Sequence, residues 1–190
     1  MQNRISSASK HHPLHHQRRA VKLPLGAERF LAAFEGLEGG FAIGASILVA
    51  LSFTGLERPV LLASVIVAVI VNGFNNASVK YSSEHFLDEL DGREKRSAFR
   101  HYFIPSLIEF ISYFAISFVS IIPLLLIANL TWAVAISVAI TLVILYLAGY
   151  WRAFMLRMPT QRDALETMLL GFGIIVVGLI SGYVIYLLQL

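Results

Sequence analysis

Residues 30–53 decide the fold class, and they read FLAAFEGLEGGFAIGASILVALSF. The only charged side chains in this run are Glu35 and Glu38. A helix needs about 20 mostly apolar residues to cross a bilayer, so the run is long enough to span a membrane. Carboxylates inside such a span are costly and need a structural or functional partner. The run therefore predicts a membrane helix with one polar face.

Four more apolar runs follow, and together they predict an all-α, polytopic membrane protein with five transmembrane helices. We place the spans at about 30–53, 59–80, 102–127, 131–154 and 163–189. Only 14% of the 190 residues are charged, against about 25% in a typical soluble domain, which argues against a soluble protein. We expect residues 1–29 to form a flexible, basic, His-rich cytoplasmic tail and residues 30–190 to form one membrane domain. Thr160 is placed to cap the fifth helix.

The lysines and arginines predict the orientation. Six lie in the N-terminal tail, five in the stretch 80–101 and three in 152–162, whereas only Arg58 lies on the other side. By the positive-inside rule, the N-terminus is cytoplasmic and the C-terminus lies outside. We expect the plasma (inner) membrane of a prokaryote. The cations flank spans and form no patch with aromatic residues, so nucleic acid is not an expected partner.

Several kinds of chemistry are excluded by the residues that the chain lacks. There is no cysteine, which removes disulfides, thiolate metal sites and cysteine nucleophiles. No Walker loop, nucleophile elbow or HExxH motif occurs, so the sequence does not predict an enzyme.

Oxygen-bearing side chains from three of the predicted helices fall at one depth near the cytoplasmic face. They are Glu35 and Glu38 in the first helix, Asn72, Asn75 and Asn76 in the second, and Glu109 in the third. Carboxylate and amide oxygens suit hard or borderline divalent cations, and neighbouring carboxylates can exchange protons for a metal ion. This layer is the predicted metal path.

The structural alternative for the same side chains needs no metal. Glu35 or Glu38 would pair with Lys80 or Arg29, and Glu109 would hydrogen-bond to a hydroxyl such as that of Ser112. The asparagines would then hold helices together by interhelical hydrogen bonds.

Three glycines in the first helix, Gly36, Gly40 and Gly44, form a GxxxGxxxG seam that lets another helix approach closely. The face with the two glutamates is roughly opposite and continues through Ala42 and Ser46. We therefore expect the first helix to be central, with the seam on a neighbouring helix and the glutamate face lining a polar path or a subunit interface.

Four segments, taken in order, resemble the vacuolar iron transporter family. They are FEGLEGGFA at 34–42, NGFNNASVKY at 72–81, FVSIIPLL at 118–125 and RDALETMLLG at 162–171. Each motif alone is weak, but their order and the five-span topology match across about residues 30–189.

The resemblance implies a homodimer whose first helices line a path for Fe2+ or Mn2+, exported from the cytoplasm in exchange for protons. It implies no tightly bound cofactor. Matched position by position, the Asp of the family's first helix corresponds to Glu35, and the metal-contacting Met of its second helix corresponds to Asn76. Where many members have an acidic residue in the second helix, this chain has Ala68. Where they have Glu or Asn just before the Tyr of that helix, it has Lys80.

Two further groups are candidates for metal binding on the cytoplasmic side. His85, Asp88 and Glu89 would share a helical surface in the second connection, although i, i+4 pairs of Glu89 with Arg93 and Asp91 with Lys95 explain the same charges. The tail carries four histidines, a density that binds transition metals. These are His11, His12, His15 and His16.

The sequence thus predicts a proton-coupled transporter of divalent metal cations. Two alternatives stay open. One is a non-transporting membrane scaffold or accessory protein of the same fold, and the other is a transporter of a different cation.

Overall fold

The structure is a computed structural model that describes residues 26–92 and 97–188. Within these ranges it is all helical, and its five long helices are each long and apolar enough to cross a membrane. They are α1 (Ala27–Ser52), α2 (Arg58–Leu90), α3 (Ile104–Leu126), α4 (Leu130–Leu156) and α5 (Thr160–Leu188). The predicted fold class is confirmed, while the orientation in the membrane and the division at residue 30 stay predictions.

Two segments differ from the predicted spans. α2 continues past residue 80 because 81–90 contain neither Gly nor Pro, and the chain turns only at Gly92, whose φ is 68°. The end of the apolar run therefore does not mark the end of the helix. A π-helical turn, Phe99–Phe103, precedes α3, where Pro105 has no N–H to continue the regular hydrogen-bond ladder.

The helix ends also show which residues begin and end each span. The side chain of Asn129 caps α4 by accepting a hydrogen bond from the backbone N–H of Trp132 at 3.1 Å. Arg157 ends α4 in the left-handed region, with φ of 56°. Thr160 was predicted to cap α5, but it is already the first helical residue.

Arg58 fastens one end of the bundle. Its guanidinium donates to the backbone carbonyls of Leu124, of Ile127 at 2.6 Å and of Ala128 at 3.0 Å, at the end of α3. These carbonyls have no partner inside the helix, and a cation there also suits the helix dipole. We call this end of the bundle the far end, and the opposite end, where α1, α3 and α5 begin, the basic end.

α1 occupies the centre of the bundle and contacts all four other helices. Its glycine seam packs on α3: a Cβ built on Gly36 would lie 2.3 Å from the carbonyl oxygen of Glu109, and one on Gly40 would lie 2.5 Å from that of Tyr113. Ser117 uses the close approach to donate a hydrogen bond to the carbonyl of Gly40 at 3.0 Å. The predicted central position of α1 and the role of the seam are confirmed.

The opposite side of α1 packs on α5. A Cβ on Gly178 would lie 2.3 Å from Ser46 Oγ, and Ser46 Oγ donates to the carbonyl of Ile174 at 2.9 Å. Ala42 is buried in the same interface, near Gly171. The expectation that Ala42 and Ser46 line a polar path or a subunit interface is therefore wrong, because small residues on both helices let the backbones meet there.

Gly40→Ala is expected to lower the free energy of unfolding by about 1–3 kcal/mol, because the added methyl would force α1 and α3 apart. Gly173→Ala is the matched control, since a Cβ there meets no atom within 4 Å. Thermal unfolding of the purified protein in detergent, followed by intrinsic fluorescence, measures both. Equal midpoints for the two variants would show that the α1–α3 contact is looser than described.

Candidate functional site

The first polar cluster joins α1 and α2 at the basic end. The Lys80 ammonium forms an ion pair with Glu35 and a second one, at 3.0 Å, with Glu84 one turn further along α2. Lys80 is only 12% exposed, whereas the side chain of Glu35 is 52% exposed at the surface of the bundle. The pairing of Glu35 with Lys80, one of the structural alternatives, is thus present.

Glu109 adds a third helix to this cluster. It lies on α3 directly against Gly36 of α1, and its charged neighbours are Lys80, Glu35 and Glu84. It is 8% exposed, and its Oε2 is buried with no hydrogen-bond partner among the described residues. The alternative in which Ser112 satisfies this carboxylate is therefore not seen. A buried carboxylate oxygen without a donor is costly, and it is the feature of this site that packing does not explain.

The asparagines of α2 differ from one another. Asn72 donates a hydrogen bond to the carbonyl of Ala68 at 2.9 Å, within its own helix, and Asn75 is exposed. Asn76 faces α1, because its Nδ2 would lie 3.9 Å from a Cβ built on Gly39. Only Asn76 therefore adjoins α1 on the side of Glu35 and Lys80, and no interhelical hydrogen bond of these asparagines is seen in the described residues.

Tyr113 and Asn76 both lie near Gly39 of α1. Its ring lies between α1 and α2, 3.3 Å from a Cβ built on Gly39 and 2.7 Å from one built on Gly73. It is 1% exposed, and its hydroxyl has no hydrogen-bond partner within residues 26–92 and 97–188. Sequence reasoning missed this residue, although a tyrosine inside an apolar run is a signal that its hydroxyl needs a partner.

The second polar cluster joins α1, α4 and α5. Arg152 forms an ion pair with Glu38, and it contacts Asp163 at 3.1 Å and Thr167 Oγ1 at 3.1 Å. All of these side chains are largely buried. The sequence analysis uses Arg152 only as one of the three cations of 152–162 that indicate orientation, so it does not predict this network.

Glu35 and Glu38 therefore do not face one ion together within a single chain. Glu35 points to Lys80 on α2, and Glu38 points to Arg152 on α4. In the described residues, no three His, Cys, Asp or Glu side chains are grouped as a metal site. Among the predicted path residues, Glu109 has Glu35 as a charged neighbour, and Asn76 lies near Gly39 of the same helix, one turn after Glu35.

The metal-binding candidates of the second connection have structural contacts of their own. His85 stacks on Tyr81 and meets the ring of Tyr102 at 5.1 Å, while Tyr102 donates its hydroxyl proton to Asp88 at 2.9 Å. Glu89 is exposed on the same helix. The predicted partners Arg93 and Lys95 lie outside the described residues, as do His11, His12, His15 and His16.

The described residues form five helices long and apolar enough to cross a membrane, with ion pairs between helices and a Glu109 Oε2 that has no partner among these residues. These features are those of a polytopic membrane protein. The model of the VIT family matches residues 74–183, which is more than half of the chain. The protein belongs to the VIT family, the vacuolar iron transporters, whose members are membrane transporters of metal ions and not enzymes. No curated protein matches the chain.

The matched segment covers part of the site. It begins within α2 and includes Lys80, Glu84, Glu109 and Arg152, but it does not reach α1. The roles of Glu35 and Glu38 therefore rest on the contacts described above and on the resemblance of 34–42 to the family.

Proposed function

We propose that this protein is a proton-coupled transporter that exports a divalent metal cation, Fe2+ or Mn2+, from the cytoplasm. The ion would pass along α1 through the oxygens of Glu35, Glu109 and Asn76. The observation that carries the proposal is the buried Oε2 of Glu109, which has no donor among the described residues. A carboxylate held in this way is suited to bind either a proton or a metal ion in turn.

The exposure of Glu35 supports a homodimer as the transporting unit. A charged carboxylate facing lipid costs about 3 kcal/mol or more, yet Glu35 is half exposed on a membrane-spanning helix. A second copy of the chain on this side of α1 would cover it and would bring a second Glu35 to the path. Two copies would supply the ligands that the described part of one chain does not group.

Metal flux into proteoliposomes tests the proposal. Fe2+, Mn2+, Co2+, Ni2+ and Zn2+ would be offered in turn, each with and without an imposed pH gradient. We expect Fe2+ or Mn2+ flux that depends on the gradient. If folded protein transports no metal, the scaffold alternative is favoured. If the flux is the same with and without the pH gradient, transport is not coupled to protons.

Lys80→Gln is expected to tighten metal binding by about tenfold, because the Lys80 ammonium occupies and neutralises the carboxylate that would hold the ion. Arg162→Gln, at an exposed residue of the same end, is the control for the loss of one positive charge. Equilibrium binding of Mn2+ to the detergent-solubilised protein measures the effect. Weaker binding in Lys80→Gln than in Arg162→Gln would place the ion elsewhere.

A further inference from the structure

We infer that the basic end of the bundle holds a binding site for one anionic phospholipid. A cavity of about 460 Å3 lies between the start of α1 and the π-helical turn before α3. It is lined by Gly26, Ala27, Glu28, Arg29, Arg100 and His101. None of the residues proposed for the ion path, Glu35, Asn76 and Glu109, lines this cavity.

The charges of this cavity favour an anion. Within residues 26–92 and 97–188, no carboxylate forms an ion pair with Arg29 or Arg100, so none in these ranges occupies the hydrogen-bond donors of either guanidinium. One carboxylate, that of Glu28, also lines the cavity and lies 3.5 Å from His101 Nδ1. Two arginines outweigh it, and guanidinium groups bind phosphate oxygens in pairs. A metal cation would be repelled here.

An apolar cavity of about 350 Å3 lies deeper along α1. Its lining includes Ala33 and Leu37 of α1, Ile116 of α3 and Trp151 of α4. Along α1 the two linings are consecutive, since Arg29 lines the basic cavity and Phe30, the next residue, lines the apolar one. At 1.5 Å per residue, the centres of their α1 segments are about 10 Å apart, which suits a phosphate group and the acyl chain attached to it.

The combination identifies a phospholipid better than a free phosphate. The phosphate alone would fill only the basic cavity, whereas a lipid would also cover the apolar one, which faces the side of a membrane-spanning bundle. Basic pockets between transmembrane helices at a membrane surface bind anionic headgroups in this way. The two arginines supply the charge complementarity, and phosphatidylglycerol has the required negative charge.

Quenching of Trp151 fluorescence tests the site, because this residue lines the apolar cavity. The full-length Trp132→Phe protein, in which Trp151 is the single tryptophan, would be placed in phosphatidylcholine nanodiscs. A minor fraction of the lipid would be brominated phosphatidylglycerol in one set and brominated phosphatidylcholine in the other. We expect half-maximal quenching at an about 10- to 30-fold lower fraction of the anionic lipid, from two arginine contacts.

Two variants separate the parts of the site. The double change Arg29→Gln and Arg100→Gln is expected to abolish the preference for the anionic lipid, and Arg162→Gln, the matched control at the same end, is expected to keep it. Ala33→Phe would fill the apolar cavity and reduce quenching with both arginines intact. The Trp151→Phe protein retains only Trp132, at the far end. We expect the two brominated lipids to quench its fluorescence equally, because the proposed site is at the basic end.

Three results would overturn the inference. Equal quenching by the two brominated lipids would mean that there is no anionic site. A loss of preference in Arg162→Gln as large as in the double variant would mean a general surface charge effect. Displacement of the brominated lipid by glycerol phosphate, at concentrations comparable to those of the lipid, would assign the basic cavity to a free phosphate.

Discussion

Glu109→Gln is expected to lower metal flux by about tenfold or more, since even residues that only hydrogen-bond to the ligands of a metal change its affinity by about 10–100-fold. The same variant is expected to be at least as stable as the parent protein. Glutamine has the same shape as glutamate, and it removes a charge from a buried position where Oε2 finds no donor among the described residues. Proteoliposome flux and thermal unfolding, measured on one preparation, give both quantities.

The opposite directions of the two effects are what identify a functional carboxylate. A purely structural Glu109 would show the reverse pattern, with stability lost and any flux changed only in proportion to the folded fraction. Glu166→Gln is the control, since Glu166 is exposed on α5 at the same end of the bundle. Unchanged flux in Glu109→Gln protein would exclude this residue from the path.

Arg152→Met is expected to lower the free energy of unfolding by about 3–5 kcal/mol, the usual effect of removing one partner from a buried ion pair. The change would leave Glu38 on α1 and Asp163 on α5 without their shared cation. Since α1 contacts all four other helices, loss of the ion pair with Glu38 would weaken the packing of the whole bundle. Detergent unfolding curves measure the change, with Arg162→Gln as the exposed control.

A triple variant distinguishes lost charge balance from lost packing. Adding Glu38→Gln and Asp163→Asn to Arg152→Met removes the two unpaired carboxylates, and we expect it to recover more than half of the lost stability. If the triple variant is as unstable as Arg152→Met alone, the packing of the arginine stem, not its charge, holds the three helices together.

The fold was largely predictable because lipid imposes simple constraints. Apolar runs of sufficient length gave five helices, and Gly36, Gly40 and Gly44 correctly indicated a close helix contact. Hydropathy alone does not predict the length of α2, because residues 81–90 are mostly polar but still helical. An apolar run therefore indicates which part of a helix is suited to lipid, but it does not indicate where the helix ends.

The sequence predicts at which end of the bundle the three glutamates lie, but it does not predict which residues they pair with. Glu35, Glu38 and Glu109 do lie at the basic end, as their spacing from the helix starts indicates. Spacing along α1 placed Glu35 and Glu38 on one face, yet α2 and α4 approach that face from different sides and divide the pair between Lys80 and Arg152. Tertiary packing determines which helices are neighbours, and a local sequence pattern does not predict it.

The attachment of α2 at its first residue has a mechanical consequence. Arg58 holds that end to the backbone of α3, so a tilt of α2 would be centred near this residue. Lys80 lies about 33 Å further along the helix, at 1.5 Å per residue. A tilt of about 5° centred near Arg58 would move Lys80 by about 3 Å, the length of one ionic hydrogen bond. A small angular change at the far end is therefore enough to release Glu35 from Lys80.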